Sequence, residues 1–123
     1  MRAKDAVGRY GEDVAARHLA ETGLIILQRN WRCAEGEIDI VARDGPVLVV
    51  CEVKTRSSLA FGGPAEAVGY RKRAKLRRLA ILWIEGRREH GDPAFWPELR
   101  FDVVSVLRAD RGAATIDHIR AAF

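Results

Sequence analysis

The sequence predicts an α/β fold: a mixed β-sheet flanked by helices, in the order helix, three strands, helix, strand. Two observations carry this expectation. Apolar runs from about Glu37 to Ala42 and from Val47 to Lys54 are separated by Arg43-Asp44-Gly45-Pro46, and Asp-Gly between apolar runs is a strong hairpin signal. Further on, Leu76, Leu79, Ala80, Trp83 and Ile84 fall at i, i+3, i+4, i+7 and i+8, the stripe of an amphipathic helix. A helix placed between two strands gives the long crossover that parallel pairing needs.

Each element has its own signal. Residues 4–22 read as a helix, with Tyr10, Val14, Ala15 and Leu19 as a partial apolar stripe and Gly23 placed to end it. Leu24 to Gln28 is a short apolar strand, and Asn30 to Gly36, containing Trp31 and Arg32, reads as a polar connection. The hairpin follows. Thr55 to Gly63 reads as a loop rich in Ser and Gly. Pro64 suits a first helical turn, so the second helix is expected from there to about Glu85, with Gly69 as a point of interruption. After the turn-prone Gly91-Asp92-Pro93, Leu99 to Leu107 gives a last strand, and the tail has no clear pattern. Short connections make the first three strands an antiparallel meander. The helical crossover brings the last strand in parallel, normally with right-handed connection.

At 123 residues the chain is expected to form a single domain, 1–123. Its 48% hydrophobic and 31% charged residues are those of a globular protein. No apolar run approaches the ~20 residues of a membrane span, and the N-terminus lacks the apolar stretch of a signal peptide. The expected address is cytoplasmic. Cys33 and Cys51 form neither a disulfide framework nor a metal spacing, and Cys51 reads as a small core residue. His18, His90 and His118 are scattered and read as structural or surface residues.

The net charge is +4, but residues 71–78, RKRAKLRR, alone hold six basic side chains and no acid. Such a run is either a solvated helix face or a phosphate-binding surface. The hairpin holds the more unusual charges. Glu37, Asp39, Glu52 and Lys54 interrupt the most apolar part of the chain. Strand side chains alternate faces, so an even-numbered turn brings all four to one face. With Asp44 opposite Val47, Asp39 lies across from Glu52. With Arg43 opposite Pro46, Glu37 does.

Like charges across a strand pair are destabilising, and one lysine neutralises one carboxylate. A divalent cation is the partner that makes the arrangement sensible. Mg²⁺ and its kind take hard oxygen ligands, one or two carboxylates with water and substrate phosphate. Such an ion polarises a phosphoryl oxygen and supplies a hydroxide nucleophile. The competing reading is an ordinary polar sheet face with Glu52 and Lys54 in ion pairs.

Asp39, followed after 12 residues by Glu52-Val53-Lys54, resembles the D…(D/E)xK signature of the restriction-endonuclease-like nucleases. The expected element order is similar to the α-β-β-β-α-β core of that fold. More specifically, "GRYGEDVAARHL", "GEIDIV", "CEVKTR", "FGGPAEAV" and "RFDVV" resemble successive blocks of the YraN family, bacterial proteins related to Holliday-junction resolvases. The likeness runs from about Gly8 to Val106. It implies Asp39 and Glu52 as metal ligands for Mg²⁺ or Mn²⁺ and Lys54 as the catalytic lysine. Ile38 stands where the nuclease motif has proline. Glu12 matches a position where related nucleases supply another acid, against the alternative of a solvent-facing helix residue. Glu37 is a candidate to support the ligands.

Lys72 lies four residues before Leu76, so it should point toward the sheet, where it reaches substrate phosphate, pairs with Glu37, or snorkels to water. Arg32, Arg56, Arg71, Lys75 and Arg78 complete the candidate nucleic-acid surface. Trp31 flanks it, with packing as its alternative role, and Asp102 reads as structural. The functional expectation is a metal-dependent endonuclease acting on DNA, with branched forms as the preferred substrate by resemblance. The alternative is a non-catalytic nucleic-acid-binding module of the same fold. A third class is a protein-interaction domain whose basic helix meets an acidic partner. The expected partner is nucleic acid, with DNA ahead of RNA, no membrane association, and a homodimer kept open.

Overall fold

The computed structural model describes residues 3–56, 69–91, 96–108 and 112–123, with side chains from Gly8 onward. Helix α1 (Ala3–Glu21) leads into strands β1 (Ile25–Cys33), β2 (Gly36–Asp44) and β3 (Val47–Arg56). Helix α2 (Tyr70–Arg88) then precedes β4 (Glu98–Leu107) and β5 (Thr115–Ile119). The strands lie side by side in the order β1-β2-β3-β4-β5. The β3–β4 pair is parallel and the other three are antiparallel. The protein is a mixed α/β structure, as the sequence predicts. Among the described residues no helix is long and apolar enough to cross a membrane.

Both faces of the sheet are buried, which is why its central strands read as nearly unbroken apolar runs. On one face Leu48 and Val50 of β3 join Ile38, Val41, Phe101 and Val103 beneath Leu76, Leu79, Ala80 and Trp83 of α2. On the other, Val49 and Cys51 join Ile40, Ala42, Val104 and Val106 beneath Ala15, Ala16 and Leu19 of α1. Each large apolar side chain so buried contributes about 1.5–3 kcal/mol. The apolar stripe on α2 and the core role of Cys51 are both found.

Local chemistry explains the ends of the elements. Gly23, at φ +100°, closes α1: Leu24 N–H donates to Leu19 O and Gly23 N–H to Ala20 O. This is the Schellman pattern, which satisfies carbonyls the helix leaves unpaired. Gly45, at φ +60°, followed by Pro46 makes a two-residue turn of the II′ kind between β2 and β3. The register puts Asp44 opposite Val47 and Ile40 opposite Cys51, the first of the two registers considered.

Some expectations change. Strand β1 does not stop at Gln28 but continues to Cys33, so most of the expected polar connection is strand, and only Ala34 and Glu35 turn the chain into β2. Its polar residues reach water along the outer edge of the sheet, which relaxes the apolar pattern. Thr55 and Arg56 belong to β3 rather than to a loop, and α2 runs past Glu85 to Arg88. The tail adds β5, paired with β4. Pro64 and the Ser/Gly-rich stretch from Ser57 to Gly63 lie outside the described residues.

One close approach seats α1. Gly11 is buried, and a Cβ there would fall within the side chain of Thr55 on β3. Replacing a helical glycine by alanine ordinarily stabilises by roughly 0.5–1 kcal/mol. Here overpacking of about 1–3 kcal/mol opposes it. Gly11→Ala is therefore expected to lower the urea midpoint, whereas Gly8→Ala, with open space around its Cβ, should hold or raise it. A matching rise in both variants would contradict the tight seating of α1 on β3.

Candidate functional site

The candidate residues meet where the sheet's regular alternation breaks. Asn30, in the middle of β1, has φ +51°. The β1–β2 ladder pairs Arg29 with Ile40 and Trp31 with Ile38, but not Asn30 with Asp39. As a result Ile38 packs under α2 while Ile40 packs under α1, and Asp39 is freed from simple alternation. The β2–β3 ladder likewise ends at Ile40–Cys51. Beyond it, Val53 N–H donates to Asp39 Oδ2 at 2.9 Å. The aspartate thus occupies the opening between the two strands.

Glu52, the next residue on β3, is almost fully buried. Lys54 Nζ and Lys72 Nζ each lie 3.6 Å from its Oε1. Lys54 comes from the same face of β3, and Lys72 reaches across from the first turn of α2. Lys72 does point toward the sheet, but its partner is Glu52 rather than Glu37. Glu37 is half exposed and pairs with Arg32 Nε at 3.1 Å. The four hairpin charges therefore do not share one regular face: Glu52 and Lys54 turn to α2, Asp39 fills the strand gap, and Glu37 faces solvent.

Asp39 carries the main electrostatic anomaly. Burial, then the neighbouring charge of Glu52, lifts its carboxyl from 3.8 to about 7; the Val53 N–H opposes the rise, and Glu12 and Glu37 add to it. Glu12, on α1, is also raised, chiefly by burial, with Arg29 pulling the other way. The Asn30 amide, with its nitrogen turned toward α1, donates to the Glu12 carboxylate. Arg29 bonds Asp13 at 2.6 Å. These two links hold the acidic middle of α1, Glu12 and Asp13, to β1, and the polar string Arg29-Asn30 gave no sign of that role in the sequence.

Asp39 and Glu52 are hard oxygen donors set side by side, with mutual repulsion that a cation would relieve. That donor chemistry fits Mg²⁺ or Mn²⁺, which need only one or two carboxylates from the protein. Glu12 is near enough to act on Asp39 electrostatically. Among the described residues, however, no three acidic, histidine or cysteine side chains converge as a preformed metal cage.

The basic run on α2 divides by its contacts. Arg73 lies over Phe123, and Arg77 over Phe101 and Phe123, at 5.4–5.7 Å from the ring centroids. Arg71 is exposed, Arg78 pairs with Glu35 at 3.4 Å, and Lys72 and Lys75 border an open groove beside the β1–β2 turn. Arg56 sits at the end of β3, half-buried. Trp31 packs against the α2-side core, the role that its packing alternative described.

A second polar cluster lies away from this site. Asp102 is fully buried on β4 and accepts from Arg100, His118 and the Ala121 N–H at 2.8–3.0 Å. Its structural role is as expected. Its partners were not visible in the sequence, because His118 and Ala121 arrive through β5 and the tail.

The family model described as "Uncharacterised protein family UPF0102" matches residues 11–106. The chain belongs to the UPF0102 family. This is the YraN family that the sequence blocks resemble, and its match covers Glu12, the whole hairpin and α2. The UPF0102 chain is 57% identical to a UPF0102 protein of Frankia casuarinae over 123 residues, covering all of both chains. It is 57% identical to one of Beutenbergia cavernae over 120 residues, 98% of each. A relative in Streptomyces griseus is 54% identical over 120 residues, again 98% of each.

Proposed function

We propose that the protein is a divalent-metal-dependent endonuclease of the restriction-endonuclease-like class, hydrolysing DNA phosphodiester bonds, with branched DNA as the preferred substrate. The observation that carries this reading is half-buried Asp39 set against buried Glu52 at the open end of the β2–β3 hairpin, with two lysines on one Glu52 carboxylate oxygen. A protein gains no stability from pushing two acids together, and Asp39 raised to about 7 is the kind of perturbation that marks functional sites. The order α1-β1-β2-β3-α2-β4 supports the same class.

In this reading Asp39 and Glu52 would hold Mg²⁺ or Mn²⁺, with Glu12 nearest to assist. The ion would supply Lewis acidity toward the phosphate and a hydroxide at neutral pH. Lys54, fixed on a strand, orients the attacking water or meets charge developing on the phosphate. Lys72 offers a second ammonium from the opposite side. Arg71, Lys75 and Arg78 steer the DNA backbone toward the site.

The test is a cleavage assay on linear, flapped and four-way DNA with Mg²⁺, Mn²⁺ or EDTA. Metal-dependent cutting is expected, fastest on the branched forms. No cutting of any substrate with either metal would reject the enzyme. The alternative, a binding module without catalysis, has one observation in its favour: Glu52 already has its charge balanced by Lys54 and Lys72.

Metal binding can be read without catalysis. An ion bound to the folded state alone stabilises by about 2.7 kcal/mol at a hundred times its Kd. Mn²⁺ is expected to raise the thermal midpoint of the wild type, and Asp39→Ala should remove most of that rise. Equal shifts in both proteins would place the ion elsewhere.

A further inference from the structure

The groove between the β1–β2 turn and α2 has a volume of about 490 Å³. We propose that it is a subsite for one unpaired nucleotide of the strand to be cut, with Lys75 as the phosphate anchor; this rests on the nuclease reading of the adjoining carboxylates. Four charged side chains lining the groove are already engaged. Arg32 holds Glu37, Glu35 holds Arg78, and Lys72 holds Glu52. Lys75 has no hydrogen bond or ion pair among the described residues. It is the ammonium left over for a ligand.

The backbone makes room for it. Gly36 has φ +149°, and a Cβ on Gly36 would lie 2.9 Å from Lys75 Cε and 3.3 Å from Leu79 Cδ1. Glycine suits this φ, and the end of the lysine side chain lies across the turn where a Cβ would push it aside. Lys72 and Lys75 are three residues apart on α2, so they share one side of the helix. Lys72 also touches Glu52, which makes the groove continuous with the carboxylate pair. Cys33 and Leu79 supply apolar contact beside these charges.

Size selects the ligand. The volume is that of a small-molecule site and takes a nucleotide rather than a duplex. A base must leave its stack to enter such a recess, at a cost that is least where the strand is already unpaired. The groove therefore favours flaps, gaps and frayed ends over intact duplex.

The test measures anisotropy of a labelled thymidine oligonucleotide and of a duplex of the same length, in EDTA, across a salt series. Losing one phosphate contact should lower the salt slope on the single strand by about 0.7, or about 5-fold in affinity near 0.1 M salt. Lys75→Ala is expected to show that loss on the single strand and a clearly smaller one on the duplex, and Lys75→Arg should restore it. Gly36→Ala, which displaces the lysine, should reproduce the selective loss. Equal losses on both DNAs, or none on either, would overturn the subsite. If wild type cuts DNA with metal while Lys75→Ala loses no selectivity, the subsite falls and the nuclease stands. Selective loss without cutting by wild type keeps the nucleotide site and rejects the nuclease.

Discussion

Asp39→Asn is expected to make the protein more stable above neutral pH, tighter on DNA without metal, and nearly inactive with it. The stability effect follows from the raised carboxyl. An acid whose folded pKa exceeds its unfolded value keeps its proton longer when folded, so the folded state loses stability as pH rises between the two values. For Asp39 the window runs from 3.8 to about 7, which corresponds to on the order of 4 kcal/mol at 1.36 per unit. Asparagine has no proton to lose there, and its side-chain oxygen can still accept from the Val53 N–H. Urea titrations in EDTA should therefore give similar stabilities near pH 4 and a clear advantage for the variant at pH 8. A difference that stays constant over that range would mean that Asp39 is not held in this strained state.

The DNA effect has the same electrostatic origin. With the metal chelated, a carboxylate beside Glu52 repels an incoming phosphate, and the variant removes one negative charge. Binding in EDTA should tighten, more so above pH 7 than below it. With Mg²⁺ or Mn²⁺ the order reverses in function: the variant retains DNA but lacks a ligand, and cutting should fall by about 10²–10³-fold or more. A binding module whose DNA surface lies elsewhere would show neither change. Unaltered binding in EDTA, together with no metal-dependent cutting by wild type, would leave the basic helix as the functional surface.

Much of this site was legible in the sequence because it rests on local rules. The Asp44-Gly45-Pro46 string marked the hairpin, whose turn is Gly45-Pro46, and one of two registers put Asp39 beside Glu52; the helical period of Leu76 and Leu79 sent Lys72 toward the sheet. What period-2 reasoning missed was Asn30. Its positive φ follows a register shift between Ile26 and Gln28, and opposite this irregular stretch Asp39 enters the strand gap while Glu37 turns to solvent. Nothing in the string RNW announces a left-handed residue, although asparagine tolerates one better than most. The same limit hid the extension of β1, whose outer edge carries Arg29 and Arg32. Strand β5 is short and half exposed, so it lacks an apolar run. Long-range pairings were the least readable. Asp44, the Arg100–Asp102 pair and His118 come from three separate strands, β2, β4 and β5, and only the assembled sheet brings them together.

That distant cluster predicts the largest loss of stability. Burial alone would raise the Asp102 carboxyl, but the hydrogen bonds from His118, Arg100 and the Ala121 N–H outweigh it and hold it below 3.8. Arg100 is itself raised, first by its bond to Asp102, and it also bonds Asp44 at 2.9 Å. Asp102→Ala leaves an arginine short of one partner, a histidine without its acid and a backbone N–H without an acceptor. Breaking a buried pair from one side costs about 3–5 kcal/mol, set against the 5–15 kcal/mol that holds a typical domain together. The loss should be full at neutral pH. A carboxyl with a depressed folded pKa contributes its stability above the unfolded value, so the gap between wild type and variant should close only as pH falls below 3.8. Asp102→Asn, which keeps the acceptor oxygen but not the charge, should fall between them. Because Ala121 N–H and Ala122 N–H both dock onto β4, to Asp102 and to Phe101 O, amide exchange in the tail should accelerate first in the alanine variant. An unfolding free energy within about 1 kcal/mol of wild type, with tail exchange unchanged, would show that the C-terminal segment is held by Phe123 on Phe101 and not by this buried acid.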